Sequence, residues 1–369
     1  IVIRPSNLSG TLKLPPSKSH AMRWLTLASM DDLPTRVEMW EIGEDVQALL
    51  DSLVELGIEW DGKILKGGKL KKPESFLDCK NSGTAMRFLI AQAATCDFEV
   101  ILDGDASLRA RSSLQLVESL GIKYLKEFDN QEYPLSLTGP VTKNKIVVDV
   151  SKTSQFHSAI LLIAPRCKGF DLVTSGYAVS RKHSALTWDL CKLTGAVHPG
   201  RPWDVSCPDV TIPADASMMA FAKLSGLGVV NAPPKSELIG HDLEENEIRD
   251  SNDLISPMAA WLALGGGGEI TGAGHAAYKE SNRITKTVEL LSRFGLESTA
   301  NQDGITIPGG QIPESPQGIV ETYDDHRLQM TAIILASICG GTIRSSNLHK
   351  VAWPSFLDQL INCGLIIEN

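Results

Sequence analysis

The run Asp324-Asp325-His326-Arg327 puts carboxylates, an imidazole and a guanidinium directly ahead of an apolar stretch, Leu328–Ile338. Acid, base and cation gathered at a helix start suit anion binding or proton transfer, and solubility alone does not call for them. A second set lies in Lys279-Glu280-Ser281-Asn282-Arg283, just before the helical period of Thr285–Phe294. A surface ion-pair run has the same composition, so this segment taken alone stays open between the two uses. Asp253 precedes Leu254–Leu264, where an aspartate serves either as a helix cap or as a general base. Near the amino end, Ser17-Lys18-Ser19-His20 leads into Ala21–Ala28, with Arg23 about one turn in. Lys18 and Arg23 either face one anion together or are solvated bases on a capped helix. Asn81-Ser82-Gly83-Thr84 places a glycine where backbone must come close to something, and Arg109 and Arg111 follow a strand in a loop, as phosphate clamps do. No G-x-x-x-x-G-K-[ST] run precedes Ser19, which excludes a P-loop.

The elements that must hold these residues repeat. Six times a short polar cluster runs into an Ala/Leu/Met-rich helical stretch: at Ser17–Ser19, Asn81–Thr84, Ser151–Gln155, Asp215–Ser217, Asn252-Asp253 and Asp324–Arg327. Ser, Thr, Asn and Asp cap helix starts, and the exposed N–H groups there favour phosphate or carboxylate. Between the junctions, β-branched runs such as Val2-Ile3, Phe98–Leu102, Lys145–Val150, Gly268–Ile270 and Gly304–Ile307 predict strands. Second helices are predicted at Asp45–Leu56, Ser112–Leu120, Leu186–Leu193, Thr285–Phe294 and Phe356–Leu360, most of them closed by a glycine turn. The resulting unit is strand, capped helix, strand, second helix, glycine and strands, and such units stack around shared cores. The stretch His198–Pro213 and the loop Asn231–Asp242 flank the expected passage between two cores.

With 369 residues the chain exceeds one ordinary core. Its 35 Lys+Arg against 44 Asp+Glu give a net charge of −9, which argues against a nucleic-acid or anionic-membrane partner and makes any basic site local. Seven cysteines without a C-x-x-C pair fit a reduced, cytoplasmic setting better than disulfides or a metal centre. The opening Ile1–Pro5 reads as neither signal nor transit peptide, and no apolar run approaches the roughly 20 residues of a membrane span.

Taken in order, Leu14–Ala28, Asn81–Leu89, Gly104–Arg111, Ser154–Pro165, Ser180–Gly195, Ala214–Phe221, Asp253–Ala260, Lys279–Ile284, Asp325–Met330 and Pro354–Leu360 resemble the enolpyruvyl transferase family. The resemblance is strongest to the branch that acts on shikimate 3-phosphate. It implies an α/β (α+β) fold of two domains, each of three βαβαββ units around parallel helices, with the active site in the interdomain cleft. The implied first domain is discontinuous, residues 1–13 with 214–369, and residues 14–213 form the second. The implied reaction moves the enolpyruvyl group of phosphoenolpyruvate to the 5-hydroxyl of shikimate 3-phosphate and releases phosphate, in a monomer, without metal or organic cofactor.

By the same similarity Asp253 is the base at the shikimate hydroxyl and Glu280 the proton donor and acceptor at C3, while Lys18 touches both substrates. Ser19, Arg23, Thr153, Ser154, Gln155, Ser180, Asp253 and Lys279 are implied in holding the shikimate ligand, along with Lys18. Gly83, Arg111, Gln155, Arg283, Asp325, His326 and Arg327 are implied at phosphoenolpyruvate. Four positions depart from the family pattern: Val351 where a lysine is usual, Ala277 for a basic residue, Asn282 for an acid and His275 for an asparagine. A transferase acting on UDP-N-acetylglucosamine is the nearest alternative, but that branch generally carries a cysteine in the loop matching Asp105–Arg111, and this chain has none there. A member that binds anions without turnover is the other, and a matched acid and base argue against it.

Overall fold

The computed structural model describes residues 1–126, 131–344 and 347–368. The chain divides into a terminal unit, Ile1–Pro15 with Ala214–Asn369, and a central unit, Pro16–Pro213. The first crossing lies just beyond Leu14 because that side chain is fully buried in the core of the terminal unit. Asn231 fixes the same segment, accepting from the Leu14 amide at 2.7 Å and donating to its carbonyl at 2.9 Å. The loop after Asn231 therefore belongs inside the terminal unit, and the second crossing falls at Pro213-Ala214.

Among the described residues the terminal unit contains three small sheets. Val2–Arg4 runs antiparallel to both Gly341–Ile343 and Ile366–Glu368, with Ile319–Val320 parallel on the far side of Gly341–Ile343. Thr11–Leu12 pairs in parallel with Gly228–Val229, and Gly268–Ile270, Ile305–Ile307 and Thr299–Ala300 form an antiparallel sheet. The helices Met219–Ser225, Ile255–Leu264 and His326–Cys339 are apolar nearly all round and are buried, as a helix without a polar face must be. Arg283–Arg293 and Phe356–Asn362 keep one face toward solvent; in the former Ile284, Thr287, Leu290 and Leu291 are buried at helical spacing.

The central unit repeats the plan. Its sheets are Val210–Thr211, Thr35–Glu38, Ile64–Lys66 and Glu59–Trp60; Leu77–Asp78, Val100–Asp103, Leu135–Thr138 and Lys123–Lys126; and the parallel pair Lys145–Asp149 with Asp171–Ser175. Buried helices Lys18–Ala28, Gly83–Ala93 and Gln155–Leu162 alternate with the more exposed Glu44–Glu55, Leu114–Leu120 and Arg181–Leu193. Among the described residues no helix is long and apolar enough to cross a membrane.

Helix starts differ from the sequence expectation where polar side chains are spent on structure. Arg181–Leu193 begins well ahead of Leu186, its first turns being polar and mostly exposed. Arg283 is itself the first residue of its helix, capped by Asn282. Asp253 does not cap: it lies within a short 3-10 turn, Asn252–Leu254, that leads into Ile255–Leu264.

Replacing Asn231 by alanine strands the Leu14 amide and carbonyl, and urea titration should show a loss of about 1–3 kcal/mol. Asn231→Asp, which keeps the acceptor and loses the donor, should fall between that variant and wild type.

Candidate active site

The terminal unit is organised by one guanidinium. Arg283, 1% exposed, donates to Asp253 Oδ1 at 2.6 Å, to Glu280 Oε2 at 2.6 Å and to Asp325 through Nε at 2.8 Å. Its position at the helix start puts Glu280 three residues ahead on the incoming chain, while Asp253 and Asp325 come from the starts of two other helices. Burial is the largest influence on Arg283 and works against its charge, but Asp325, Glu280 and Asp253 outweigh it and raise the pKa beyond that of an ordinary guanidinium. Asp325 is wholly buried, whereas the Asp253 and Glu280 side chains keep 26% and 12% of their exposure. Two carboxylates are thus open to a ligand, and the third serves to fix the guanidinium.

Asp325 also caps His326–Cys339 by accepting from the Arg327 amide at 3.0 Å, and it accepts from Ser281 Oγ at 3.0 Å. Arg327, one residue past buried His326, donates to the Asp253 carbonyl at 3.1 Å and to Ser217 Oγ at 2.9 Å, and stands 3.4 Å from Asp253 Oδ2. Ser217 in turn donates its hydroxyl to Asp215 at 2.6 Å. The Asp215 junction thereby does more than cap, because it turns the Ser217 oxygen lone pairs toward Arg327. His241 is buried with Nδ1 on the Leu238 carbonyl at 2.9 Å, and burial lowers its pKa while Asp253 and Asp215 oppose that shift. His275 is buried one turn ahead of Lys279, which is half-buried at the end of the turn Gly274–Tyr278. Burial first, then Lys279, holds His275 at about 4, against the pull of Asp253, Asp250 and Asp303.

In the central unit three buried helices begin at Ser17, Ser82 and Ser154. Lys18 pairs with Asp45 at 2.7 Å, and Ser19 is half-buried beside it. Arg23 is 3% exposed and its donors go to Thr187 Oγ1 at 2.6 Å, Ser158 Oγ at 3.2 Å, and the carbonyls of Ser19 and His183 at 2.8 and 3.2 Å. Burial lowers its pKa to about 10, with Cys191 opposing. Around Gly83 the space that a Cβ would fill is bounded by Arg87 at 2.8 Å, Arg111 at 3.1 Å and the Gln155 side-chain oxygen at 3.6 Å. Two guanidiniums and an amide therefore converge on bare backbone at a helix start, a fitting place for a small anion. Arg111 is held by Asn81, through its carbonyl at 2.7 Å and its side chain at 2.8 Å, and Gln155 donates to Thr84 at 3.1 Å. Thr153 is half-buried and its hydroxyl accepts from the Gln155 amide; buried Ser180 has a left-handed backbone, φ 50°. Arg109 points elsewhere, in a two-pronged pair with Asp103 at 2.9 and 2.5 Å.

Ser217, Asp45, Thr187, Asn81 and Arg87 are partners that sequence reasoning missed. Only Asp215-x-Ser217 carried a usable signal, an Asx cap two residues ahead of a hydroxyl. Of the departures, Asn282 has a local role as helix cap, accepting from the Thr285 amide at 3.3 Å. Ala277 is half-buried in the turn before Lys279, and Val351 is half-buried beside exposed Lys350.

Known structures share this fold. EPSP synthase from Acinetobacter baumannii superposes with a TM-score of 0.77 at 21% identity, over 100% of this chain and 98% of that one. The enolpyruvyl transferase NikO from Streptomyces tendae gives 0.72 at 13% identity, over 98% and 96%. The architecture is that of the enolpyruvyl transferases. The 3-phosphoshikimate 1-carboxyvinyltransferases of Methanothermobacter thermautotrophicus and Methanocorpusculum labreanum are 27% and 28% identical, over 98% and 99% of this chain and 98% of each relative. The family description "EPSP synthase (3-phosphoshikimate 1-carboxyvinyltransferase)" matches residues 2–197 and 223–360, and the chain belongs to that family.

Arg283→Met leaves three carboxylates around an absent cation, and a melt should show a loss of about 3–5 kcal/mol, partly restored by adding Asp325→Asn. An unchanged melt contradicts the central place of Arg283. His275 supplies a pH signature. Its folded pKa, about 4, lies below the ordinary 6.5, so the unfolded chain binds the proton first. Its contribution to stability is complete above 6.5 and is lost as pH falls toward 4, so His275→Asn should lose less stability than wild type across that window.

Proposed function

We infer that this chain joins the enolpyruvyl group of phosphoenolpyruvate to the 5-hydroxyl of shikimate 3-phosphate and releases phosphate. One observation beyond family membership carries the inference: Arg283 holds two accessible carboxylates, Asp253 and Glu280, at 2.6 Å each. The reaction needs two such groups. As the hydroxyl oxygen adds to C2 its proton must leave, and a proton must reach C3; collapse of the tetrahedral adduct then expels phosphate and returns a proton from the new methyl group. We assign the hydroxyl proton to Asp253 and both C3 transfers to Glu280. Arg283 and Arg327 are the cations for the phosphoenolpyruvate anion, with Asp325 fixing Arg283 and His326 beside it. An anion bound to these guanidiniums competes with Asp253 for the same N–H groups, and so strengthens Asp253 as a base when both substrates are present.

Lys18, Gly83, Arg111 and Gln155 supply further contacts for phosphoenolpyruvate, supported by the convergence of Arg111 and Gln155 on Gly83. Lys18, Ser19, Arg23, Thr153, Ser154, Gln155, Ser180, Asp253 and Lys279 are assigned to shikimate 3-phosphate. Arg23 acts chiefly by holding the Ser19 carbonyl, since its hydrogens are directed to protein acceptors. The family match does not favour the nucleotide-sugar branch. Seven thiols and no disulfide suit a reducing compartment, and we assign the chain to the cytoplasm.

Phosphate should appear only when shikimate 3-phosphate and phosphoenolpyruvate are supplied together. Release with UDP-N-acetylglucosamine in place of the shikimate ester overturns the assignment, and binding without release favours a non-catalytic role. Asp253→Ala and Glu280→Ala should each slow turnover by roughly two orders of magnitude or more with the fold retained.

A further inference from the structure

Tyr323 and Asp324 both have φ 52°, in the left-handed region. Aspartate tolerates this conformation, but for a bulky tyrosine it is a true outlier, and such strain persists only where surrounding contacts enforce it. The strained pair immediately precedes Asp325, His326 and Arg327. What holds it is on the surface. The Tyr323 hydroxyl donates to Glu289 Oε2 at 2.7 Å, the Lys286 ammonium lies 4.2 Å from the centre of the Tyr323 ring, and Lys286 pairs with Glu289 at 2.8 Å. Lys286 and Glu289 stand on the helix that begins with Arg283. The segment Tyr323–Asp325 is therefore tied to one helix twice, at Glu289 through Tyr323 and at Arg283 through Asp325, with the two left-handed residues at the first tie.

We propose that Tyr323 is a positioning residue: clasped by Glu289 and Lys286, it holds the left-handed turn that sets Asp325 against Arg283 and Arg327 against Asp253. The functional side of the proposal rests on the roles inferred above for Arg283 and Arg327. The chain of contacts is short. If the clasp opens, the turn relaxes toward ordinary backbone, the Asp325 carboxylate shifts from both Arg283 and the Arg327 amide, and the two guanidiniums lose their common reference point. The clasp is intact at neutral pH. Glu289 keeps its charge because Lys286 and the Tyr323 hydroxyl both lower its pKa, and Glu289 pushes the Tyr323 hydroxyl up to about 12, so the donor keeps its proton.

The three clasp residues are half-buried or exposed, so their replacement leaves the core alone. Tyr323→Phe keeps the ring over Lys286 and removes the bond to Glu289; Glu289→Leu removes the same bond from the other side; Glu289→Gln keeps an acceptor. Both bond-breaking variants should raise KM for phosphoenolpyruvate about three- to tenfold, the size of one partly screened charge-assisted hydrogen bond, with KM for shikimate 3-phosphate and the melting midpoint nearly unchanged. The pair Tyr323→Phe/Glu289→Leu should be no worse than either alone, and Glu289→Gln should stay near wild type. Amide hydrogen exchange gives a readout independent of catalysis: the Asp325 and Arg327 amides, bonded to Thr322 and to the Asp325 carboxylate, should exchange faster in the two bond-breaking variants and not in Glu289→Gln. A wild-type protein that does not turn over the two substrates removes the functional roles, yet faster exchange still supports the clasp. Unchanged exchange, additive losses in the pair, or a uniform loss in kcat and both KM values that follows a lower melting midpoint each overturns it.

Discussion

A buried cation facing three carboxylates is the constraint from which the terminal unit follows. Arg283 cannot be taken out of water without them, and they cannot be brought together without it. Asp253, Glu280 and Asp325 come from three separate segments, so satisfying one guanidinium fixes the relative places of three helix starts. The division of labour among the carboxylates follows from burial. Asp325, fully enclosed, keeps the charge balance and caps a helix, whereas the Asp253 and Glu280 side chains stay partly exposed.

The central unit solves a related problem with helix ends instead of carboxylates. The buried helices Lys18–Ala28, Gly83–Ala93 and Gln155–Leu162 start at serines; Lys18 stands at the first start, and Arg87, Arg111 and the Gln155 side chain gather around Gly83 at the second. Glycine at position 83 keeps the second start bare, since a methyl group there would meet Arg87 at 2.8 Å. An acidic chain can thus present strongly positive spots without a basic surface, because the helix ends and a few enclosed guanidiniums supply the field locally.

Much of this was legible in the sequence, for identifiable reasons. Helix starts announce themselves through their caps, and Ser17, Ser82, Ser154, Asp215 and Asp325 all stand at the cap position. The apolar runs behind them had to be buried. Asp253 was ambiguous because a cap and a base look alike in one dimension; the 3-10 turn Asn252–Leu254 removes the cap, and the bond to Arg283, 30 positions away, is tertiary and invisible in the sequence. The partners of Arg23 were invisible for the same reason, Thr187 lying 164 positions away. Left-handed backbone at Tyr323 could not be foreseen at all, since tyrosine carries no preference for it and the Glu289 contact that holds it is tertiary.

The family places this chain among enzymes whose substrates are both polyanions, and the Arg283 cluster gives Asp253 and Glu280 different neighbours and different openings to ligand. If Glu280 both delivers and removes the C3 proton, the methyl group of the tetrahedral adduct can return a different hydrogen from the one it received. Unreacted phosphoenolpyruvate should then acquire solvent hydrogen at C3. The most direct measurement is proton NMR of phosphoenolpyruvate incubated in deuterium oxide with enzyme and shikimate 3-phosphate. Loss of the C3 proton signals with wild type, only in the presence of shikimate 3-phosphate, and its absence with Glu280→Gln is the expected result; exchange that persists in Glu280→Gln contradicts it.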